Sequence, residues 1–408
     1  MLTSFPKEKI NILLLENISA QARDFFADQG YLAVQRETGA LSEEQLIERL
    51  AEVHILGIRS KTQITKRVLD AATRLQAIGC FCIGVNQVDL EVAKERGIAV
   101  FNAPYSNTRS VAELVIGLSI MLLRRVVDKN KAAHEGRWFK ESAGSYELRG
   151  KTLGIVGYGN IGTQLGIMAE SMGMRVLYFD IATRLPLGNA RSCSSLMELA
   201  AESDVLSLHV PETPLTTQLI AEPVLTRMKP SAVLINCSRG KVVNLEHLAK
   251  ALQTGKLSGA ALDVFPEEPE KSGQSFACAV QGLSNVILTP HIGGSTEEAQ
   301  LNIAEDVGLK LFNFLEQGVT TGSHTIPELS LPPIGNAHRI LHIHANVPGV
   351  LTAINSRLSE KGINILGQYL KTNERIGYVV LDVDMNFSEQ ALDLLKSVPE
   401  TIKTRLLY

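Results

Sequence analysis

The feature that most constrains this chain is a set of three glycines at the end of an apolar strand. Residues 152–162 read TLGIVGYGNIG, so Gly157, Gly159 and Gly162 fall at the spacing G-x-G-x-x-G between that strand and a helical stretch, 161–171. Each glycine has its own reason in such a context: the first permits a tight turn, the second lets backbone approach a pyrophosphate, and the third lets helix and strand pack closely. Asn160 and Ile161 open the helix, where N–H groups and the helix dipole favour phosphate. Asp180, after the strand VLYF, lies about 20 residues on, where a carboxylate accepts from the ribose hydroxyls of adenosine and repels a 2′-phosphate. The pattern predicts a dinucleotide site for NAD over NADP, with Arg184 near enough to leave room for some NADP use.

Around this loop the text alternates strand and helix. TLGIVGYG, MRVLYFD, DVLSLHVP, AVLINCSRG, SGAALDVF and NVILTPH are apolar on both faces, as in a sheet covered on both sides by helices. INILLL, HILGIR, LQAIGC and IAVFNAP make a similar series near the start, with a helix over Ser42–Ala51 opened by Ser and acids. Around Glu328 the text turns rich in Pro and Gly. Beyond it strand, helix, strand, hairpin, strand, helix and strand follow in ferredoxin-like order. The expected fold class is α/β: two doubly wound parallel-sheet (Rossmann-like) domains plus a C-terminal β-α-β-β-α-β unit. The expected boundaries are 1–105 with 297–330, then 106–296, then 337–408. Gly335-Asn336 stands in the last linker, and Asn tolerates left-handed backbone less freely than Gly, which predicts a stiffer hinge.

Composition removes several function classes. A formal charge of -3 over 408 residues argues against a general binder of nucleic acid or membrane surface. Cys80, Cys82, Cys193, Cys237 and Cys278 are sparse, odd in number and mostly set in apolar runs, as reduced thiols are. No metal site is expected, His342 and His344 included. The start, MLTSFPKEKI, lacks a signal h-region, and the apolar helix at Val111–Leu123 is too short to span a bilayer. A cytoplasmic protein is expected.

Polar residues gather at the carboxyl ends of the second strand series: Asp180, His209, Ser238-Arg239, Asp263 and His291. Open parallel sheets place ligands there. Hydride exchange at a 2-hydroxy or 2-oxo acid needs a cation for the carboxylate, an acid/base for the oxygen and a group that sets its pKa. Arginine suits the first by its bidentate fork and histidine the second by its near-neutral pKa; a neighbouring carboxylate raises that pKa. Arg239, His291 and an acid of the loop FPEEPE, Glu267 or Glu268, are the candidates. Asn107-Thr108-Arg109-Ser110 precedes the long helix, and Arg59-Ser60-Lys61 follows a strand, where two cations on one loop suit a phosphate.

GYGNIG, NCSRGKVV, ALDVFPEEP and LTPHIGGST resemble successive signatures of the D-isomer-specific 2-hydroxyacid dehydrogenases. That resemblance implies Arg239 as carboxylate anchor, His291 as acid/base and Glu268, selected by its spacing from Asp263, as its partner. It also implies that Asp263 contacts the nicotinamide end of NAD, with Cys237, Ser238, Arg239, His291, Ile292, Gly293 and Gly294 nearby. GIRSKT, AIGCFCIGVNQVDL and FNAPYSNTRSVAELVIG resemble the members that act on 3-phosphoglycerate, at the first step of L-serine biosynthesis. They imply substrate contacts at Arg59, Ser60, Lys61, Gly84, Asn107 and Arg239. The C-terminal unit resembles an ACT domain, which implies L-serine as effector at His344, Asn346 and Asn364, and a homotetramer. Two other readings stand beside this one: a dehydrogenase of an unphosphorylated acid, and an NAD-sensing binding protein of the corepressor type.

Overall fold

The computed structural model of the protein describes residues 6–269 and 273–407. The first residues of the polar start and Glu270 of the FPEEPE stretch lie outside them. The chain divides into two compact units, one of residues 1–106 with 300–408 and one of residues 107–299.

The second unit is built on a seven-stranded sheet. Numbering strands along the whole chain, β1 to β5 are Ile12–Leu14, Val34–Arg36, Ile55–Ile58, Ala77–Cys80 and Ala99–Asn102. The seven are β6 (Thr152–Val156), β7 (Arg175–Phe179), β8 (Arg191–Ser192), β9 (Val205–Leu208), β10 (Val233–Asn236), β11 (Gly259–Leu262) and β12 (Val286–Leu288). Their order is β12-β11-β10-β9-β6-β7-β8, and every pairing is parallel. Strands β6, β9, β10 and β11 are buried along their whole length, because helices cover both faces. The strand order reverses at β6, between β9 and β7, so the loop leaving β6 sits at the switch point where such sheets bind ligands.

In the first unit β1 to β5 form a parallel sheet in the order β2-β1-β3-β4-β5. The helix expected from Ser42 runs Glu43–Leu50 and opens with a capping box, Ser42 and Gln45 each bonding the other's backbone N–H. The strands β13 (His338–Ala345), β14 (Ile365–Thr372), β15 (Ile376–Val383) and β16 (Thr401–Leu407) form a second, antiparallel sheet, ordered β14-β15-β13-β16.

Residues 337–408 lie in the same compact unit as residues 1–106. Basic side chains of β13 and β16 do much of the joining. Arg405 donates to the carbonyls of Phe314 and Leu315 in the last turn of the helix Glu297–Gln317, and to Oε1 of Gln76. Lys403 donates to the Leu75 carbonyl. Arg339, fully buried, pairs bidentately with Asp382 at 2.7 and 2.9 Å and also reaches the carbonyls of Gln317 and Pro332. A cation suits a helix C-terminus, and losing one member of such a buried pair costs about 3–5 kcal/mol. Among the described residues no helix is long and apolar enough to cross a membrane.

Candidate active site

The glycine loop has the shape its spacing predicts. Gly157 sits at φ +91°, and a Cβ on it would stand 2.4 Å from the His209 carbonyl oxygen. A Cβ on Gly162 would stand 2.4 Å from the carbonyl oxygen of Gly157, which is how closely helix and strand approach. At Gly159 no atom lies within 4 Å of the corresponding position, so that side of the loop is open. The helix Asn160–Ser171 carries no side-chain cap at its N-terminus, where the first amides of a helix have no intrahelical partner, and Ile161 in its first turn is half-buried. Asp180 closes the arrangement. One oxygen accepts from the Tyr158 amide at 2.9 Å, the other from the Ala182 amide at 2.9 Å, and Arg184 lies 3.4 Å away. Open backbone, uncapped helix and adjacent carboxylate fit a dinucleotide.

At the carboxyl end of β12 the chain makes a tight turn. His291 lies at φ +54°, a left-handed conformation that costs a non-glycine residue about 1–3 kcal/mol. Asp263, at the end of β11 and only 1% exposed, holds the turn. Its Oδ1 accepts from the Thr289 hydroxyl (2.6 Å) and the Ile292 amide (2.8 Å), and its Oδ2 from the Gly293 amide (2.7 Å). Both oxygens are thus committed to the chain, so a contact with a nicotinamide would share an oxygen already in use. A Cβ on Gly293 would meet Asp263 Oδ2 at 2.8 Å, and one on Gly294 would meet Asn107 Nδ2 at 2.1 Å, so a side chain at either position would displace Asp263 or Asn107.

The turn presents His291 to Glu268. Nδ1 of His291 lies 2.7 Å from Oε2 of Glu268, whose Oε1 accepts from the Phe265 amide at 3.0 Å. The hydrogen bond to Glu268 raises the His291 pKa above its ordinary value; burial and the Arg239 charge oppose it without reversing it. For Glu268 burial pushes upward, but the bonds from His291 and Phe265, with the charges of His291 and Arg239, hold it below the usual carboxylate range. The proton therefore resides on Nδ1, facing Glu268, and Nε2 is left to exchange a proton. Of the two acids in the loop, Glu268 makes this contact.

Arg239 follows β10 and is half-buried, with one guanidinium nitrogen on the Ser238 carbonyl at 2.7 Å. Asn236 shapes this corner: it accepts from the Ser238 amide and hydroxyl and donates to the Arg239 carbonyl. Cys237 is buried, and burial first, then the nearby Asp263 charge, push its thiol well up. Asn107 is buried with its Oδ1 unpartnered.

In the first unit Arg59 is half-buried and Ser60 and Lys61 are exposed on the loop after β3, while the Gly84 carbonyl accepts from Gln87 and Cys82. In the antiparallel sheet His344 is buried with Nδ1 unpartnered, Asn346 is exposed and donates to the Asn373 carbonyl, and Asn364 is exposed. Sequence reasoning missed Asn236, which shapes the corner two and three residues after it, and Gln87 and Glu16, which act on a loop distant in sequence.

The chain belongs to the family of D-isomer specific 2-hydroxyacid dehydrogenases, which are oxidoreductases, and its seven-stranded unit is that family's NAD binding domain, matched over residues 116–293. Residues 340–403 match an AHAS small subunit-like ACT domain. The chain is 51% identical over 407 residues to D-3-phosphoglycerate dehydrogenase of Escherichia coli (strain K12), covering 99% of each protein. It is 50% identical over 406 residues to D-3-phosphoglycerate dehydrogenase of Dictyostelium discoideum, covering 100% of this chain and 99% of that protein. Among solved structures, D-lactate dehydrogenase from Aquifex aeolicus, complexed with NAD and lactic acid, aligns with a TM-score of 0.67 at 28% identity, over 78% of this chain and 100% of that one.

Proposed function

We propose that this protein catalyses NAD-dependent oxidation of 3-phospho-D-glycerate to 3-phosphooxypyruvate, the first step of L-serine biosynthesis, under feedback control by L-serine. The observation that carries the reading is the His291–Glu268 contact beside Arg239, kept in a chain 51% identical over its whole length to a D-3-phosphoglycerate dehydrogenase.

Bound at the glycine loop, the dinucleotide supplies the hydride acceptor. Arg239 takes the substrate carboxylate in its fork and so fixes the reacting carbon. Neutral His291 accepts the hydroxyl proton at Nε2 as the C2 hydride leaves, and Glu268 stabilises the imidazolium that forms. In the reverse direction the same imidazolium protonates the carbonyl oxygen. Arg59, Ser60, Lys61 and Gly84 of the first unit and Asn107 of the second read the rest of the substrate, and the two cations take the phosphate. Asp180 favours NAD over NADP by accepting from ribose hydroxyls. The ACT unit takes L-serine through His344, Asn346 and Asn364, whose amides offer both donors and acceptors, in a homotetramer.

The test is NADH formation from NAD and 3-phospho-D-glycerate with the product trapped, over a serine titration. Turnover that falls as serine rises, and loses that response in Asn346→Ala, is expected. Absence of turnover with this substrate, alongside turnover of an unphosphorylated 2-hydroxy acid, would assign the enzyme another substrate. Turnover indifferent to serine would remove the effector.

A further inference from the structure

The loop that carries Arg59 and Lys61 is built around a buried carboxylate with no place in the chemistry above. Glu16 follows β1, and β1 pairs in parallel with β3, so Glu16 and the loop after β3 lie at the same end of the sheet. Glu16 is 7% exposed. Its Oε1 accepts from the amides of Arg59 (3.0 Å) and Thr62 (2.9 Å), and its Oε2 from the amide of Lys61 (3.0 Å). The backbone goes to some length to put it there. Glu16 and Asn17 are consecutive left-handed residues, at φ +58° and +53°, held by amide bonds to the carbonyls of Gly39 and Glu37.

Successive amides converging on one point make an anion nest, the kind of backbone cup that binds phosphate. Here Glu16 occupies that cup. The amides of Arg59, Lys61 and Thr62 are spent on the protein, and an incoming anion is left chiefly to the side chains. Neither the Arg59 guanidinium nor the Lys61 ammonium has an ion-pair partner among the described residues. Gln87, 3% exposed, fixes the loop from another side, with Nε2 donating to the Arg59 carbonyl at 2.7 Å and to the Gly84 carbonyl at 3.2 Å.

We infer that Glu16 is a positioning residue for substrate specificity: by holding the amides of Arg59, Lys61 and Thr62 it presents the Arg59 and Lys61 side chains together to the phosphoryl group of the substrate. The inference rests on the proposed reading of that loop as the phosphate contact. A carboxamide cannot replace the carboxylate, because its NH2 would face an amide N–H, leaving a buried donor unmet and the loop free to turn.

The experiment measures kcat and KM for NADH-driven reduction of 3-phosphooxypyruvate and of unphosphorylated hydroxypyruvate, in the wild type, Glu16→Gln and the double variant Arg59→Ala/Lys61→Ala. Glu16→Gln is expected to raise KM for the phosphorylated substrate roughly tenfold, the scale of a lost hydrogen bond to a charged group. Its kcat should move much less, and the preference for the phosphorylated substrate should drop toward that of the double variant. General destabilisation would instead lower both substrates in parallel. A wild-type preference in Glu16→Gln, with the preference lost in the double variant, overturns the role of Glu16 alone. A preference unchanged in the double variant removes the phosphate reading and the inference with it. If Glu16→Gln yields no folded protein, Glu16→Asp decides: it keeps the charge but not the reach, so a smaller loss of preference is expected, and none would overturn the inference.

Discussion

The turn at Thr289–Gly293 and the loop at Arg59–Thr62 are each wrapped around a buried carboxylate that takes three donors from the chain, Asp263 in one and Glu16 in the other. They differ in what they display. The first shows a histidine whose partner, Glu268, is already in place at 2.7 Å. The second shows two cations that have no partner among the described residues. The contrast follows from the tasks proposed for them. A proton-transfer group must have its pKa set before substrate arrives, so its charge partner belongs to the protein. A recognition cation gains most when its partner arrives with the substrate, since a built-in ion pair would have to be broken first.

Breaking the first side of this comparison has the largest effect. His291→Asn removes the acid/base and should lower kcat by about 10²–10⁴, with NADH affinity, read by fluorescence titration, little changed. Near-normal turnover would remove His291 from the chemistry. Arg239→Lys keeps the charge but loses the fork, so steady-state kinetics should show roughly ten- to a hundredfold lower kcat/KM with kcat and KM both affected.

Glu268→Gln sharpens the comparison through pH. The His291 pKa stands above its ordinary value, chiefly through the Glu268 hydrogen bond. Reduction needs imidazolium and fails as pH rises through that pKa; oxidation needs neutral imidazole and rises over the same range. Without the carboxylate the pKa falls. The alkaline limit of reduction should therefore move to lower pH, and the rise of oxidation should move with it, in pH–rate profiles of both directions. An unmoved profile would leave Glu268 with no part in setting the pKa. The smallest effect concerns the cofactor: Asp180→Ser should weaken NAD binding several-fold and narrow its advantage over NADP, a shift read in the ratio of kcat/KM for the two cofactors.

Much of this was legible in the sequence, for definable reasons. Buried parallel strands are apolar on both faces and end on polar residues, so β6, β9, β10 and β11 and the site positions at their ends stand out. Strand β2, Val34–Arg36, hides because it is an edge strand with half-exposed, charged text. Glu16 hides differently. In ILLLENIS it reads as a polar residue ending a strand, and its meaning lies 43 residues away in the amide of Arg59. Asp263 stands out as a residue, but its bonds to the His291 turn come from 26 to 30 residues further along. The packing of the ACT sheet was invisible for the same reason: Arg339, Lys403 and Arg405 carry no periodic signal, and their partners are mostly backbone carbonyls.

The division of labour between the two carboxylate-held segments is tested most directly by one quantity, the ratio of kcat/KM for 3-phosphooxypyruvate to that for hydroxypyruvate, measured in the wild type, His291→Asn and Arg59→Ala/Lys61→Ala. His291→Asn should depress both substrates and leave the ratio near the wild-type value. Arg59→Ala/Lys61→Ala should lower the ratio by about tenfold or more, as loss of a charged hydrogen-bonding group requires. A ratio that stays constant in the double variant while both substrates slow together would contradict the account.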